Sequence, residues 1–325
     1  MQFSINMNTF LSCDWGTTAF RLRLIDSSDS SLISEVYSDC GIAQTFNLWQ
    51  HEASGNDRLV FYENIIAGKI KEIETGLSAS LDGVPVLLSG MASSSIGMIE
   101  LPYKKLPFVA DGSDLITHII EESANFRHQI LLISGICSED DVMRGEETQL
   151  VGCNDNKDQI YIFPGTHSKH IEVKGGNVVQ FRTYMTGDFF AALRKNTILN
   201  VSVNKVDYLE TVSNIESFKQ GVHDCKYSNI LHNCFLVRTN TLFNKFTKEE
   251  NYYYLSGLLI GTELMDLSGS AYKKITITAN KMMTNLYTAA IEILDCLQLN
   301  EVIKLNSDDM LFKGQLAIYK KVIRV

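Results

Sequence analysis

Proline is scarce, with four in 325 residues, so few breaks are marked and any domain boundary has to be read from polarity instead. Cysteine occurs seven times, at Cys13, Cys40, Cys137, Cys153, Cys225, Cys234 and Cys296, an odd number with no CxxC spacing. That speaks against a disulfide framework or a zinc site and fits a reducing compartment. No apolar run approaches the roughly 18 residues of a membrane span. The opening MQFSINMNTFLSCDWG has no basic segment followed by an apolar one, so a cytoplasmic protein without membrane association is expected. A basic block is missing as well. Lys and Arg number 29 against 38 Asp and Glu, and the net charge of −9 argues against a surface built for nucleic-acid phosphates.

What is present is ordinary globular material. Hydrophobic residues make up 45% and charged residues 21%, which excludes disorder, collagen-like repeats and coiled coil as descriptions of the whole. The length corresponds to about two domains.

From Asn8 to Ser38 the pattern is a short apolar run (Thr9 to Cys13), a polar turn (Asp14 to Thr18), and Phe20, Leu22 and Leu24 alternating with Arg21 and Arg23. After the polar turn Asp26 to Ser31, Leu32 to Tyr37 adds a third strand, completing a meander. A helix is expected over Arg58 to Gly76, and strands over Val84 to Leu88 and Gln129 to Ile133. The meander then recurs: strand Gln159 to Phe163, turn Pro164 to Ser168, strand Lys169 to Val173, Gly-Gly turn, strand Val178 to Tyr184. Gly16-Thr17 and Gly165-Thr166 superpose at an offset of 149 residues, a spacing that means two similar domains. The divide is placed in the polar run Asn154 to Asp158, giving domains 1–155 and 156–325. Further helices are expected over Gly187 to Lys195, Glu249 to Leu267 and Met283 to Leu297, with strands Lys274 to Thr278 and Glu301 to Leu305. The fold class is therefore α/β with mixed sheets.

Five constellations could carry chemistry. In Asp14-Trp15-Gly16-Thr17-Thr18, Gly16 lets successive N–H groups point into one concavity and the threonines add donors, as a phosphate-holding turn requires. Asp14 at the strand end can hold Mg²⁺ against nucleotide phosphates, and the competing explanation is an ordinary hairpin turn. Pro164-Gly165-Thr166-His167-Ser168-Lys169 repeats the turn with Phe163 in place of the aspartate, and two facing phosphate turns need a metal-anchoring carboxylate on one side only. His167 and His170 point to opposite faces of a strand, so they read as polar surface or turn residues rather than metal ligands. In Asp140 to Gly152 the two aspartates are expected to cap a helix running to Gly152. A carboxylate beside Gly145 could serve as a base for a substrate hydroxyl, with a solvated acidic face as the alternative. Ser89-Gly90-Met91-Ala92-Ser93-Ser94-Ser95-Ile96-Gly97 suits a sugar- or acid-binding loop after a buried strand, or a loop without function. Gly257 and Gly261 make one smooth helix stripe, as close helix packing requires.

Two Gly-Thr hairpins in a duplicated α/β chain resemble the actin-like ATPase superfamily of sugar kinases, acetate kinases and chaperone ATPases. More narrowly, DWGTTAFRLRL, GMASSSIGMIELPY, DVMRGEETQLVG, PGTHSKHIEV, FRTYMTGDFFAAL and LSGLLIGTEL, in this order over most of Cys13 to Asp266, resemble the 2-dehydro-3-deoxygalactonokinase family. The resemblance implies a duplicated actin-like, ribonuclease H-like fold with the active cleft between two lobes. It also implies transfer of the ATP γ-phosphoryl group to the 6-hydroxyl of 2-dehydro-3-deoxy-D-galactonate in galactonate breakdown. Asp14 would hold Mg²⁺. Gly16, Thr17 and Thr18 would form one phosphate loop, and Gly165, Thr166 and His167 the other.

GEETQLVG is similar to the block that carries the catalytic base in glycerol- and xylulose-kinase-like enzymes, which assigns the base to Glu146, with Glu147 and Asp188 as fallbacks. Gly90, Met91, Ser93, Ser94 and Arg144 would contact the sugar acid, Arg144 pairing its carboxylate. One departure stands out: where the family has a Gly-rich turn against the adenosine, this chain reads Ala279-Asn280-Lys281. The rival readings are a kinase of the same fold for another keto-deoxy acid or a hexose, and a sugar-binding regulator with weakened transfer. A homodimer is compatible with either.

Overall fold

The computed structural model describes residues 8–52, 55, 57–204, 211–294 and 301–323. Cys296 and the end of the helix expected over Met283 to Leu297 lie outside them. The first stretch of chain carries β1 (Thr9–Trp15), β2 (Phe20–Asp26), β3 (Leu32–Ser38), α1 (Ile42–Glu52), α2 (Arg58–Leu77) and β4 (Val86–Gly90). It continues through the short strands β5 (Lys104–Lys105) and β6 (Phe108–Val109), then β7 (Thr117–Ile120), β8 (Ile130–Ile133), β9 (Ile136–Cys137), β10 (Val142–Met143) and α3 (Glu146–Cys153). Next come β11 (Gln159–Phe163), β12 (Ser168–Lys174), β13 (Asn177–Tyr184), α4 (Thr186–Asn196), α5 (Val212–Asp224), α6 (Ile230–Leu242) and α7 (Lys248–Met265). The chain ends with β14 (Lys274–Thr278), α8 (Lys281–Leu294), β15 (Glu301–Leu305) and α9 (Ser307–Val322).

The chain forms two compact units, one of residues 1–157, 173–180 and 308–325, the other of 158–172 and 181–307. The first crossing lies two residues from the expected divide at 155/156. The later crossings depart from a simple halving, because α9 is held by the first unit: its Gln315 donates to the Cys13 carbonyl at 3.0 Å and to Ser89 Oγ at 2.9 Å, and accepts from Ser12 Oγ at 2.6 Å. Gln315 thereby ties together three buried polar groups of β1 and β4.

One six-stranded sheet has the order β3-β2-β1-β4-β8-β7, and the other runs β13-β12-β11-β14-β15 with β6 added outside β13. Both read third, second, first strand of a meander followed by added strands, with β1∥β4∥β8 in one and β11∥β14∥β15 in the other. This is the expected duplication. Central β1 is almost wholly buried, whereas edge strand β3 leaves Leu32, Ile33 and Tyr37 exposed. On β2, Leu22 and Leu24 join the core while the buried Arg23 pairs with Glu35 at 3.1 Å and with Asp308 of α9 at 2.8 Å.

The first core gathers Leu11, Leu22, Ile66, Leu88 and Leu132 between strands and α2. In the second unit Ile160, Ile275, Tyr253, Ile260 and Tyr287 pack between the sheet and α7 and α8. The glycine stripe of α7 does what its spacing predicts: a Cβ on Gly257 would lie 2.1 Å from the Phe218 carbonyl oxygen of α5, so only glycine permits this crossing.

Candidate active site

In the first unit, the parallel register sets Asp14 beside Ser89 and Trp15 beside Gly90. Gly90 has φ +90, and a Cβ there would meet the Trp15 carbonyl oxygen at 2.8 Å and Asp14 Oδ1 at 3.5 Å. Gly145 has φ +116, and its Cβ would lie 3.7 Å from Gly90 Cα. Two positions that only glycine adopts comfortably therefore bring the end of β1, the end of β4 and the start of α3 together.

Asp14 is partly buried, and that burial raises its pKa. Arg21 and Arg23 pull it down, while Asp308 and Glu146 push it up. Glu146 thus lies within electrostatic reach of Asp14. It is the first residue of α3, half-buried, and its Oε2 accepts the Arg144 N–H at 3.2 Å. The adjoining turn is closed by the Gly16 N–H donating to the Ala19 carbonyl at 2.9 Å, which leaves Thr17 and Thr18 exposed.

The expected helix from Asp140 does not form. Val142 and Met143 pair with Cys137 and Ile136 in a short antiparallel ladder, and Ser138 Oγ accepts the Asp141 N–H at 2.9 Å, so the aspartates occupy a hairpin turn. The helix begins at Glu146 with Gly145 as its cap.

Glu147 is turned inward and wholly buried, accepting from the Gly145 N–H at 2.7 Å and from Thr148 Oγ1 at 2.9 Å. Ser93 and Ser94 are buried, with hydroxyls donating to the carbonyls of Ile133 at 2.9 Å and Met91 at 2.7 Å. These three side chains build the site from behind. Arg144 donates to the Ser93 carbonyl at 2.7 Å and to Ser93 Oγ, and its guanidinium stacks 4.2 Å from the Tyr103 ring centroid. Its buried Nε has no partner among the described residues. Met91 is half-buried on the same loop.

Burial pushes the Glu147 carboxyl up to about 7; the Glu146 charge adds to this, and hydrogen bonds from Gly145 and Thr148 oppose it. The folded value lies above the ordinary 4.5, so the native state binds this proton more tightly than the unfolded chain. The associated stability is complete below about pH 4.5 and is lost as pH rises through 7. Urea unfolding at pH 5 and pH 8 is expected to show the wild type losing up to about 3 kcal/mol more than Glu147→Gln over that interval. Parallel profiles would remove Glu147 as the titrating group.

In the second unit the β11–β12 turn exposes Gly165, Thr166 and His167. The Asp188 N–H at the start of α4 donates to the Thr166 carbonyl at 3.0 Å, and His167 Nε2 lies 3.7 Å from Asp188 Oδ2. Asp188 thus packs on this turn. His170 is buried rather than at the surface, because its Nε2 donates to Glu263 Oε1 at 2.8 Å. Ala279 follows β14 and is buried, and exposed Asn280 precedes α8, its Oδ1 accepting the Met283 N–H at 3.0 Å. Beside them lies a mostly apolar cavity of about 170 Å³ lined by Gly165, Gly187, Phe190, Tyr252, Met282 and Met283. Sequence reasoning passed over this cavity, Asp308 and Glu263. The only signal for Glu263 was its place inside LSGLLIGTEL.

Residues 14–318 match the 2-keto-3-deoxy-galactonokinase family, a span that includes both glycine-threonine turns and the Glu146 helix. The chain belongs to that family. The 2-dehydro-3-deoxygalactonokinase of Escherichia coli (strain K12) is 29% identical over 220 residues, covering 65% of this chain and 72% of the relative. A probable 2-dehydro-3-deoxygalactonokinase, DgoK1, of Rhizobium meliloti (strain 1021) is 27% identical over 295 residues, 87% of this chain and 89% of its own. Among solved structures, a candidate 2-dehydro-3-deoxygalactonokinase from Sinorhizobium meliloti shares the fold with TM-score 0.77 and 24% identity over 97% of both chains. The ADPNP-bound activator of 2-hydroxyisocaproyl-CoA dehydratase from Clostridium difficile shares it at TM-score 0.50 and 10% identity, over 97% of this chain and 96% of that one. The fold of this kinase-family chain is therefore the duplicated actin-like ATPase type, and ATP is the phosphoryl donor that the family implies. No helix among the described residues is long and apolar enough to cross a membrane.

Proposed function

We propose that this chain transfers the γ-phosphoryl group of ATP to the 6-hydroxyl of 2-dehydro-3-deoxy-D-galactonate, with Glu146 as the base. The observation that carries the reading is the convergence of Asp14, Gly90 and the Gly145–Glu146 helix start. Glu146 takes the proton from the sugar hydroxyl as its oxygen bonds to the γ-phosphorus. The bond to the β–γ bridging oxygen breaks, and ADP leaves. Arg144 stands beside a loop built by Gly90, Met91, Ser93 and Ser94, and its guanidinium is the cation suited to the sugar acid's carboxylate.

Gly16, Thr17 and Thr18 hold phosphate oxygens from one turn, and Gly165, Thr166 and His167 hold them from the other. The apolar cavity beside Gly165 receives the base, and the backbone of Ala279 and Asn280, just before the cavity-lining Met282 and Met283, approaches the adenosine. Mg²⁺ fits Asp14, a hard oxygen donor whose raised pKa reflects a carboxylate short of solvation. When bound, the ion would neutralise charge on the transferring phosphates.

The test is ADP release, by a coupled assay, with Mg-ATP and a panel of 2-keto-3-deoxy sugar acids including the galactonate and gluconate epimers. The galactonate compound is expected to give the highest kcat/KM. A higher value on another acid reassigns the substrate, and turnover on none removes the kinase reading.

A further inference from the structure

Glu263 of α7 is buried to 4% exposure, and nothing in the reaction above uses it. Its carboxylate accepts from His170 Nε2 at 2.8 Å, from Tyr287 OH at 2.8 Å and from Thr186 Oγ1. The donors come from β12, α8 and the first residue of α4. Burying a carboxylate is costly, and a cluster needed only for packing is served better by apolar side chains. An acceptor-only group is required where several donors converge, and a glutamine offers only one acceptor oxygen to the same three.

Two of the three donors lead to the Gly165–His167 turn. On one side, Thr186 begins α4. Its neighbour Gly187 sits so close to the turn that a Cβ there would lie 2.5 Å from the Gly165 carbonyl oxygen, and the Asp188 N–H reaches the Thr166 carbonyl. On the other side, Tyr287 OH lies 3.1 Å from Ser168 Oγ, and that oxygen accepts the Gly165 N–H at 3.3 Å. The turn is exposed at its tip and anchored on both flanks to one buried carboxylate.

We propose that Glu263 is a positioning residue that, through Thr186 on one flank and Tyr287 and Ser168 on the other, holds the Gly165–His167 turn in the shape that receives nucleotide phosphates. The inference rests on the reading of that turn as a phosphate loop. It makes the affinity gained from a nucleotide's phosphates, and not the affinity for its nucleoside, depend on Glu263. A general structural role would weaken both alike.

The test is calorimetric titration of adenosine and of Mg-ADP into wild type, Glu263→Gln and Ser168→Ala. Both variants are expected to lose about tenfold in Mg-ADP affinity, the equivalent of about 1.4 kcal/mol, and to hold adenosine within about twofold. Equal losses for the two ligands, or no loss for either in folded protein, overturn the positioning role while leaving the phosphate turn in place. If wild type binds Mg-ADP no better than adenosine, the phosphate-loop reading fails and takes the inference with it. Thr186→Val and Tyr287→Phe, each removing one donor to Glu263 while leaving Ser168 in place, decide the matter if Glu263→Gln does not fold: wild-type Mg-ADP affinity in both overturns the positioning role.

Discussion

Glu146→Gln is expected to lower kcat by about 10²- to 10⁴-fold, with the KM for ATP and for the sugar acid both within about threefold of wild type. The amide keeps the length of the side chain and an oxygen able to accept the Arg144 N–H, so the start of α3 and the two-glycine junction with β4 should survive. What it removes is a proton acceptor. The effect therefore belongs in kcat, because the hydroxyl still binds but is no longer deprotonated as it attacks. Steady-state kinetics over pH 6 to 9, with circular dichroism to confirm folding, make the measurement. Turnover within tenfold of wild type would pass the base role to another group. Glu147 is a poor heir, since both its oxygens are engaged inside the protein and its carboxyl, pushed up to about 7, is half-protonated near neutrality.

The second large effect is expected from Gly187→Ala. A methyl group there would lie 2.5 Å from the Gly165 carbonyl oxygen and 2.8 Å from Thr166 Cα, and both are backbone atoms that no rotamer change can move away. Either α4 or the turn must shift, and the Asp188 N–H to Thr166 carbonyl bond is the contact that gives way. Overpacking of this kind costs about 1–3 kcal/mol. The KM for ATP should rise at least tenfold, with a smaller change in the KM for the sugar acid. ATP titrations at saturating sugar acid, together with urea unfolding, separate the two consequences. A folded variant with wild-type KM for ATP would show that the position of this turn does not matter to the nucleotide.

Much of the fold was legible because strands betray themselves locally. Period-two alternation with a Gly-Thr turn marked both meanders, and the 149-residue offset made the duplication visible before any contact was known. Helix α7 was legible within two residues at each end from its periodicity, and the structure adds a Thr247–Glu250 capping box at its start. Helices α1, α5, α6 and α9 went unread. In α6, apolar side chains such as Leu231 and Phe235 face solvent, so no clean stripe separates a core face from an exposed one. The error at Asp140 has a similar origin: acidic residues before a Gly-Glu-Glu run look like caps, but Val142 and Met143 find a ladder partner first. His170 was misread because its partner, Glu263, is 93 residues away.

The sequence by itself determined the repeat, the two turns and the family, because each of these is written in blocks whose meaning does not depend on distant residues. Only the tertiary structure decided which of the neighbouring polar groups are buried: Glu147, Ser93 and Ser94 turn inward, while Arg144 and Glu146 stay partly exposed. It also decided that α9 returns to the first unit, where Gln315 meets Ser12 across 303 residues and Asp308 meets Arg21 and Arg23. The physical reason is that a buried donor or acceptor must find its complement wherever the fold brings one near, and that search runs through space rather than along the chain.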